Sequence, residues 1–266
     1  YGTYTFIASA NPFVHGDGME HRNSTMITVP TPSYSTGAML DVFSHEYFHN
    51  WNVERIRPKT LEPFSFEKSN MSNELWFAEG FTQYYGELIL ARAGLISDQN
   101  YLHTVANLIN TKMNTPGAKD YSPVQASNHA VYVDVGVSID KTNYDNMFTS
   151  YYPYGAAIAL ALDLTLQTRY HTTLDAYMRS MWKRFGKTEV SYTLFTMQET
   201  LASITDADFA TDFFQKYING HEPIDYASLL AKAGYELKKA YERKPSIGIN
   251  TIVDQKGKLI INSNTQ

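Results

Sequence analysis

The sequence predicts an α+β fold, with a small N-terminal β-sheet followed by a mostly helical body. Two patterns lead to this prediction: residues 3–9 and 24–29 have strand character, and most patterned segments between residues 38 and 233 have helical spacing. The order is a third observation. Strands gathered ahead of helices are typical of α+β proteins, whereas strands alternating with helices are typical of α/β proteins.

In the body of the chain, helices are predicted where apolar residues recur with helical periodicity, and Pro and Gly mark their boundaries. Residues 114–149 break this pattern with Pro116, Gly117, Pro123 and many Asn and Asp residues, so we predict mostly loop there, with one short strand at residues 131–135. The predicted helices cover residues 38–52, 73–92, 98–113, 154–170, 174–185, 192–203, 207–218 and 225–233.

Composition excludes several classes of function. The net charge of −5 is spread without long runs, which argues against nucleic acid as a partner. The chain has no cysteine, so any metal must be held by His and carboxylate side chains. We also predict no membrane span, because the best apolar run, residues 155–162, ends at Asp163, far short of about 20 residues.

The chain starts with a strand-like pattern that lacks a charged leader and a cleavage site. We therefore expect it to be an excised fragment of a longer protein. A chain without cysteines suits cytosol and periplasm equally, so the compartment stays open.

The segment His-Glu-Tyr-Phe-His at residues 45–49 carries the chemistry. Two His residues four apart on a helix lie about 40° apart around its axis and one turn along it, so both imidazoles can reach one ion. Glu46 can then face a water on that ion and accept its proton while a carbonyl is attacked. This motif predicts a zinc site held by His45 and His49, although so short a pattern also occurs by chance in unrelated proteins.

A catalytic zinc needs a third protein ligand and an open position for water. Glu79 lies among Trp76, Phe77 and Phe81, and a carboxylate in such surroundings is costly unless it is paired or bound to metal. Glu74 is the competing candidate, but near a helix start a carboxylate is favourable without a metal. We therefore predict Glu79 as the third ligand of one Zn²⁺ ion.

The motifs around these residues resemble the glycyl aminopeptidase family. The resemblance covers about residues 4–245, and its zinc region is the most specific part. It rests on HEYFHNWNVERIRP at residues 45–58, LWFAEGFTQYY at 75–85, GMEHRNS at 18–24, YYPYGA at 151–156, and FFQKYING at 213–220 with the Glu-Pro that follows. Within these segments Tyr154 departs from the family, which commonly has Lys at that position.

The resemblance implies a thermolysin-like zincin catalytic domain of the gluzincin class, distantly related to the aminopeptidase N family. It implies that Glu20 holds the free α-amino group of a peptide substrate and that the Tyr152 hydroxyl stabilises the oxyanion. Without the resemblance, Glu20 would be read as a carboxylate in a surface ion pair, and Tyr151 and Tyr154 are close enough to be confused with Tyr152. The implied substrate-binding residues form an edge strand beside the site: Gly18, Met19, Glu20 and His21.

The expected activity is zinc-dependent removal of N-terminal residues from peptides, with small residues such as Gly or Ala favoured. A thermolysin-like endopeptidase and a non-catalytic peptide-binding module of the same fold are the alternatives. The family also carries an N-terminal β domain and a C-terminal PDZ domain. We accordingly predict that residues 1–245 form the catalytic domain and that residues 246–266 are a linker and the truncated start of a PDZ-like region, poorly ordered or packed as a stray strand.

Overall fold

The fold confirms the predicted α+β class: a three-stranded sheet precedes a helical body. The computed structural model describes residues 2–14, 16–30, 36–133, 144–239, 249–253 and 257–264. The sheet comprises β1 (Thr5–Ala10), β2 (Asp17–His21) and β3 (Ser24–Val29), in the spatial order β1-β3-β2.

The sheet is mixed, because β1 runs parallel to β3 whereas β2 runs antiparallel to it, with Met19 opposite Met26. Within the described ranges β3 is the one strand paired with β2, so β2 is an edge strand, as the family resemblance implied. Ile27 and Val29 of β3 are buried together with Met39 of the first helix, which seats the sheet against that helix.

The helical body carries most of the core. Its helices are α1 (Thr36–Phe48), α2 (Leu75–Ala78), α3 (Gly80–Arg92), α4 (Asp98–Asn114), α5 (Gly117–Asp120), α6 (Pro123–Val133), α7 (Tyr144–Met147), α8 (Tyr151–Arg169), α9 (Leu174–Met181), α10 (Leu194–Ala202), α11 (Ala207–Phe213) and α12 (Tyr226–Lys232). Single π-helical turns, Trp182–Gly186 and Phe214–Ile218, extend α9 and α11.

Helix α8 lies at the centre of the body. Its stretch from Ala156 to Leu162 is almost completely buried, and the Ala residues in it let neighbouring helices approach closely. Its polar core residue Asp163 is satisfied by the Tyr84 hydroxyl at 2.8 Å and the Leu174 backbone N–H at 3.0 Å. These two bonds tie α3 and the start of α9 to α8 without leaving a buried carboxylate unpaired.

The prediction of mostly loop and a short strand for residues 114–149 was wrong where the structure describes them. Residues 131–133 end α6, while residues 134–135 lie outside the described part. Helix α6 begins with a reciprocal cap: the Ser122 hydroxyl accepts from the Gln125 backbone N–H, and the Gln125 side chain accepts from the Ser122 N–H. Pro123, interpreted as a loop residue, occupies the first helical position, where its missing N–H costs nothing.

The C-terminal tail also differs from the prediction of disorder or a single stray strand. The structure pairs β4 (Ile249–Val253) with β5 (Leu259–Asn264) in an antiparallel two-stranded sheet. Gly257, at φ 78°, precedes β5 in a backbone conformation that glycine adopts without strain. Residues 246–248, 254–256 and 265–266 lie outside the described part.

Among the described residues, none of the helices is long and apolar enough to cross a bilayer.

Candidate metal centre and active-site cleft

Three side chains from two helical elements converge beside the sheet. His45 and His49 come from α1 and the turn that ends it, and Glu79 lies where α2 gives way to α3. Nε2 of His45 and Nε2 of His49 are 3.0 Å apart, and each lies 3.2 Å from Oε2 of Glu79. The predicted ligand triad is therefore brought together at one point.

The distances among these three ligand atoms fit a cation with tetrahedral coordination. Ligand atoms 2.0–2.1 Å from a tetrahedral zinc ion lie about 3.3 Å from one another, close to the spacing of these three atoms. Two imidazoles and one carboxylate also form a donor set that zinc takes in catalytic sites, with a fourth position open. The residues present thus fit a zinc ion held by His45, His49 and Glu79.

His49 is oriented by a bond on the far side of its ring. Its Nδ1 lies 2.7 Å from the backbone carbonyl oxygen of Asn52, so Nδ1–H donates there and Nε2 faces the site, where a bound metal would replace its proton. A partner of this kind fixes both the tautomer and the ring angle of a metal-binding histidine. His49 itself is 1% exposed, which removes competing partners from solvent.

Asn52 was missed by the sequence analysis, although it links the two parts of the triad. Its side-chain amide donates to the carbonyl oxygen of Phe77 at 2.9 Å and to the Thr82 hydroxyl oxygen at 3.2 Å. Through these bonds Asn52 connects the end of α1, which carries His49, to the α2–α3 junction, which carries Glu79. An Asn between Trp51 and Val53 was the available signal, since a polar residue among apolar neighbours must be satisfied internally when buried.

Glu46 faces the sheet from α1 and is 5% exposed. Its carboxylate lies so close to Gly18 of β2 that a Cβ at position 18 would overlap Oε1 of Glu46, so any larger residue there would displace the Glu46 carboxylate. The buried Thr25 hydroxyl lies 3.4 Å from Oε2 of Glu46 and 3.0 Å from the carbonyl oxygen of Met19. Burial raises the pKa of Glu46 to about 7, with Glu20 and Glu79 adding to the rise against the opposing effect of His49.

The site has a strongly negative electrostatic environment. Burial acts to lower the pKa of His49, but Glu79, Glu20 and Glu46 around it raise that pKa to about 10. Burial acts to raise the pKa of Glu79, and His49 and His45 hold it well below its usual range. Carboxylates gathered around two imidazoles in this way favour a cation at their centre.

The four substrate-binding candidates on β2 divide between the two faces of the strand. Gly18 and Glu20 point toward α1, and oxygen atoms of Glu20 and Glu46 lie within 4.8 Å of each other and of a His49 ring nitrogen. Met19 and His21 alternate to the exposed face, where Met19 is 55% exposed. The structure therefore brings the Gly18 backbone and the Glu20 side chain to the site and keeps the side chains of Met19 and His21 away from it.

Tyr152 enters the site from the first turn of α8. Its ring stacks against His45, with centroids 6.0 Å apart, and against Tyr151 at 4.9 Å. Tyr151 and Tyr154 are buried, and the Tyr154 hydroxyl donates to the Tyr121 carbonyl, away from the triad. Of the three neighbouring tyrosines, Tyr152 is the one that lines the cleft.

A cleft of about 440 Å³ opens over His45 and Glu46, between β2, α1, α3 and the start of α8. The cleft is also lined by Asp41, Gln83 and Glu87, which no sequence motif places there. Their positions follow from the close packing of α1 against α3. A Cβ on Gly86 would lie 3.3 Å from the His45 backbone nitrogen, and the Ser44 hydroxyl donates to the Gly86 carbonyl oxygen at 2.8 Å. Long-range packing of this kind leaves no local signal in the sequence.

Glu74, the competing third ligand, lies elsewhere. It is 3% exposed, and its carboxylate accepts hydrogen bonds from the Thr60 and Ser72 hydroxyls and from the Asn73 backbone N–H. These bonds satisfy Glu74 in the loop before α2, whereas Glu79 points at the two histidines.

Most of the chain is similar in fold to two solved zinc metallopeptidase structures. An M1 zinc metallopeptidase from Deinococcus radiodurans aligns with a TM-score of 0.52 and 16% identity over 83% of this chain and 40% of its own. A mutant of that enzyme bound to a Tyr-Ser-Ala substrate aligns with a TM-score of 0.50 and 15% identity, over 82% of this chain and 40% of its own. At this level of identity the likeness shows the fold alone, which this chain shares with these M1 zinc metallopeptidases.

A more specific match identifies the family that the chain resembles. The sequence model of the M61 glycyl aminopeptidase family matches residues 38–158, which include His45, Glu46, His49 and Glu79. An aminopeptidase N family protein from Idiomarina loihiensis is similar over 99% of this chain, with 26% identity and a TM-score of 0.86. The resemblance to the glycyl aminopeptidase family is thereby confirmed, and both findings support a metallopeptidase.

This chain spans 48% of the length of the Idiomarina protein, so its likeness concerns about half of that protein. No match was found among curated protein sequences.

Proposed function

We propose that this chain is the catalytic domain of a zinc-dependent aminopeptidase. The observation that carries the proposal is the convergence of His45, His49 and Glu79 at one point, with the buried Glu46 beside them in an open cleft. A structural zinc site is closed by four protein ligands, whereas the described residues supply three candidate ligands and a base here. That difference favours catalysis over a non-catalytic peptide-binding module.

Each residue has a distinct task in the proposed mechanism. Bound zinc would supply Lewis acidity to the attacking water and the scissile carbonyl. Glu46 accepts the proton of that water and returns it to the leaving amine, a task that suits a carboxyl group whose pKa is about 7. The Tyr152 hydroxyl donates to the oxyanion of the substrate, and its stacking on His45 holds it at the cleft.

The exopeptidase specificity rests on Glu20. Its carboxylate projects from an edge strand to within 4.8 Å of Glu46, where it can pair with the free α-ammonium group of a substrate lying along β2. The preference for a small first residue such as Gly or Ala rests on the family resemblance alone. The same is true of the division into a catalytic domain, residues 1–245, and a PDZ-like start, residues 246–266, within a longer protein that adds an N-terminal β domain.

The test compares free and blocked substrates. The zinc-loaded protein should hydrolyse Gly- and Ala-anilides, should act more slowly on the Leu-anilide, and should refuse N-acetyl-Ala-anilide. Glu20→Gln should raise KM for the free substrates at least about tenfold, because a charged hydrogen bond is lost. Equal turnover of blocked peptides would assign an endopeptidase, and a zinc-loaded protein without any turnover would assign a binding module.

A further inference from the structure

Arg55 lies in the turns that follow α1, and its guanidinium group contacts two segments that are far apart in the sequence. Its Nη1 donates to the backbone carbonyl oxygen of Asn50 at 2.7 Å and also contacts Oδ1 of Asn50. The same nitrogen donates to the carbonyl oxygen of Arg22 at 3.1 Å, and Nη2 donates to Oδ1 of Asn23 at 3.1 Å. One side chain therefore joins the end of α1 to the turn between β2 and β3.

Both ends of this connection lie next to residues of the site. Asn50 is buried and directly follows His49, one of the candidate zinc ligands. Arg22 comes two residues after Glu20, whose carboxylate lies within 4.8 Å of a ring nitrogen of His49. The bonds of Arg55 accordingly fix the backbone that carries Glu20 relative to the backbone that carries His49.

The position of the Glu20 carboxylate depends strongly on the backbone of β2. Within the described part of the chain, no Lys or Arg side chain forms an ion pair with Glu20 that would anchor it. The strand itself is held by pairing with β3, where Glu20 lies opposite Thr25. A displacement of the turn two residues further on would therefore move the carboxylate as well.

The shape of the arginine side chain suits it to hold this turn. A guanidinium group presents its N–H donors in a rigid planar fork, so it can face several acceptors in one fixed geometry. The acceptors of Arg55 are two backbone carbonyl oxygens and the side-chain oxygens of Asn50 and Asn23. Lys in the same place keeps the charge but carries its donors on a single flexible atom, so it cannot reproduce these bonds together.

We propose that Arg55 is a positioning residue for substrate recognition. It holds the β2–β3 turn so that the Glu20 carboxylate meets the α-ammonium group of a peptide whose first carbonyl group lies at the metal centre. This inference rests on the proposed aminopeptidase function and adds to it the group that sets the distance between Glu20 and the three candidate ligands. A misplacement of about 1 Å in such an arrangement can cost on the order of 100-fold in rate, so the loss of the fork is measurable.

The test measures KM and kcat of the zinc-loaded protein with Ala-anilide. Arg55→Lys should raise KM at least about fivefold, because the binding group for the substrate amine is displaced. It should change kcat less than about threefold, because the Asn52 carbonyl still holds His49 and Thr25 still lies against Glu46.

Two further variants accompany Arg55→Lys. Asn23→Ala removes one acceptor of Arg55 from the exposed turn and should raise KM about two- to fivefold; it provides a second measurement if Arg55→Lys folds poorly. Arg57→Lys is the matched control, because Arg57 lies two residues further along and pairs with Glu62 at 2.8 Å. Its KM should differ from that of the unmodified protein by less than about twofold.

A general loosening of the fold would also raise KM, so Arg55→Lys is combined with Glu20→Gln. In the Glu20→Gln background, Arg55→Lys should raise KM further by less than about twofold, because the carboxylate that it positions is already gone. Multiplication of the two separate effects would assign Arg55 a merely structural role and overturn the proposal.

An unchanged KM for both Arg55→Lys and Asn23→Ala, in a protein whose KM is raised by Glu20→Gln, would overturn the positioning role alone. Failure of the proposed function gives a different result: the unmodified zinc-loaded protein would not hydrolyse Ala-anilide, or Glu20→Gln would leave its KM unchanged. The positioning role of Arg55 would then be refuted together with the function on which it rests.

Discussion

Gly80 and Gly155 meet where α3 crosses the start of α8, and neither position has room for a side chain. A Cβ on Gly155 would overlap the carbonyl oxygen of Trp76, and one on Gly80 would overlap the backbone of Gly155. Gly80 directly follows Glu79, and Gly155 lies three residues after Tyr152. This contact therefore sets the distance between Glu79 and Tyr152.

Gly155→Ala should accordingly destabilise the protein by about 3 kcal/mol or more, because the new methyl group meets rigid backbone. In a domain of this size such a loss lowers Tm by roughly 6–12 °C, measured by thermal unfolding. Gly86→Ala is the matched control, since its Cβ would meet the nearest backbone atom at 3.3 Å and the change also improves helix propensity. We expect its effect to stay within about 1 kcal/mol; equal losses for both variants would contradict the argument from close approach.

Glu79→Gln should reduce zinc affinity by more than about 100-fold, because the loss of even an outer partner of a ligand costs 10–100-fold. The measurement is metal content after dialysis against a zinc buffer. Glu74→Gln is the control, since Glu74 is buried near the same helix but bonds to Thr60 and Ser72. If Glu79→Gln kept its zinc and Glu74→Gln lost it, Glu74 rather than Glu79 would be the third ligand.

Glu46→Gln should keep zinc and lose turnover by about 10²–10⁴-fold, because the amide cannot accept the proton of the attacking water. The comparison requires metal content and kcat on the same preparation. Glu87→Gln, which changes another carboxylate of the cleft, should lower kcat much less. Turnover by Glu46→Gln close to that of the unmodified protein would remove Glu46 from the mechanism.

Asn52→Ala should reduce both stability and zinc affinity. The substitution removes side-chain bonds to Phe77 and Thr82 while the backbone carbonyl that holds His49 remains. We expect a loss of about 1–3 kcal/mol in unfolding free energy and a zinc affinity lower by about 10–100-fold. Denaturant unfolding of the zinc-free and zinc-loaded protein separates the two effects, and an unaffected zinc affinity would confine Asn52 to a structural role.

Lys112→Met should stabilise the protein in a pH-dependent manner. The pKa of Lys112 is about 8 in the folded chain and 10.5 ordinarily, so the unfolded chain binds the extra proton between these values and stability rises with pH across that window. Below pH 8 the free energy of unfolding of the variant should therefore exceed that of the unmodified protein by on the order of 1–3 kcal/mol. This difference should shrink as the pH approaches 10.5. Denaturant unfolding at pH 7, 8.5 and 10 measures the difference, and a constant difference would contradict the assigned titration.

Much of this architecture could be predicted from the sequence because its signals are local. The spacing of His45 and His49 places both on one face of α1, and the aromatic neighbours of Glu79 separated it from Glu74. Helix α6 was missed because Pro123 was interpreted as a breaker, although Ser122 and Gln125 form the reciprocal cap that marks a helix start.

The remaining parts of the site depend on long-range contacts. The fit of Gly18 against Glu46 joins a strand to a helix 28 positions later, and no spacing rule describes such a pair. A sequence motif can name Gly18, Met19, Glu20 and His21 together, but the alternation of β2 decides that Gly18 and Glu20 face the centre while Met19 and His21 do not.

For the proposed aminopeptidase, the edge position of β2 restricts which peptides can bind as substrates. A backbone that pairs with this strand must present unused amide groups over several residues, which a terminus held in its own helix or sheet does not do. We therefore expect selection by conformation as well as by residue type: frayed ends and short unstructured peptides would be trimmed, and the same sequence locked in a native protein would be spared.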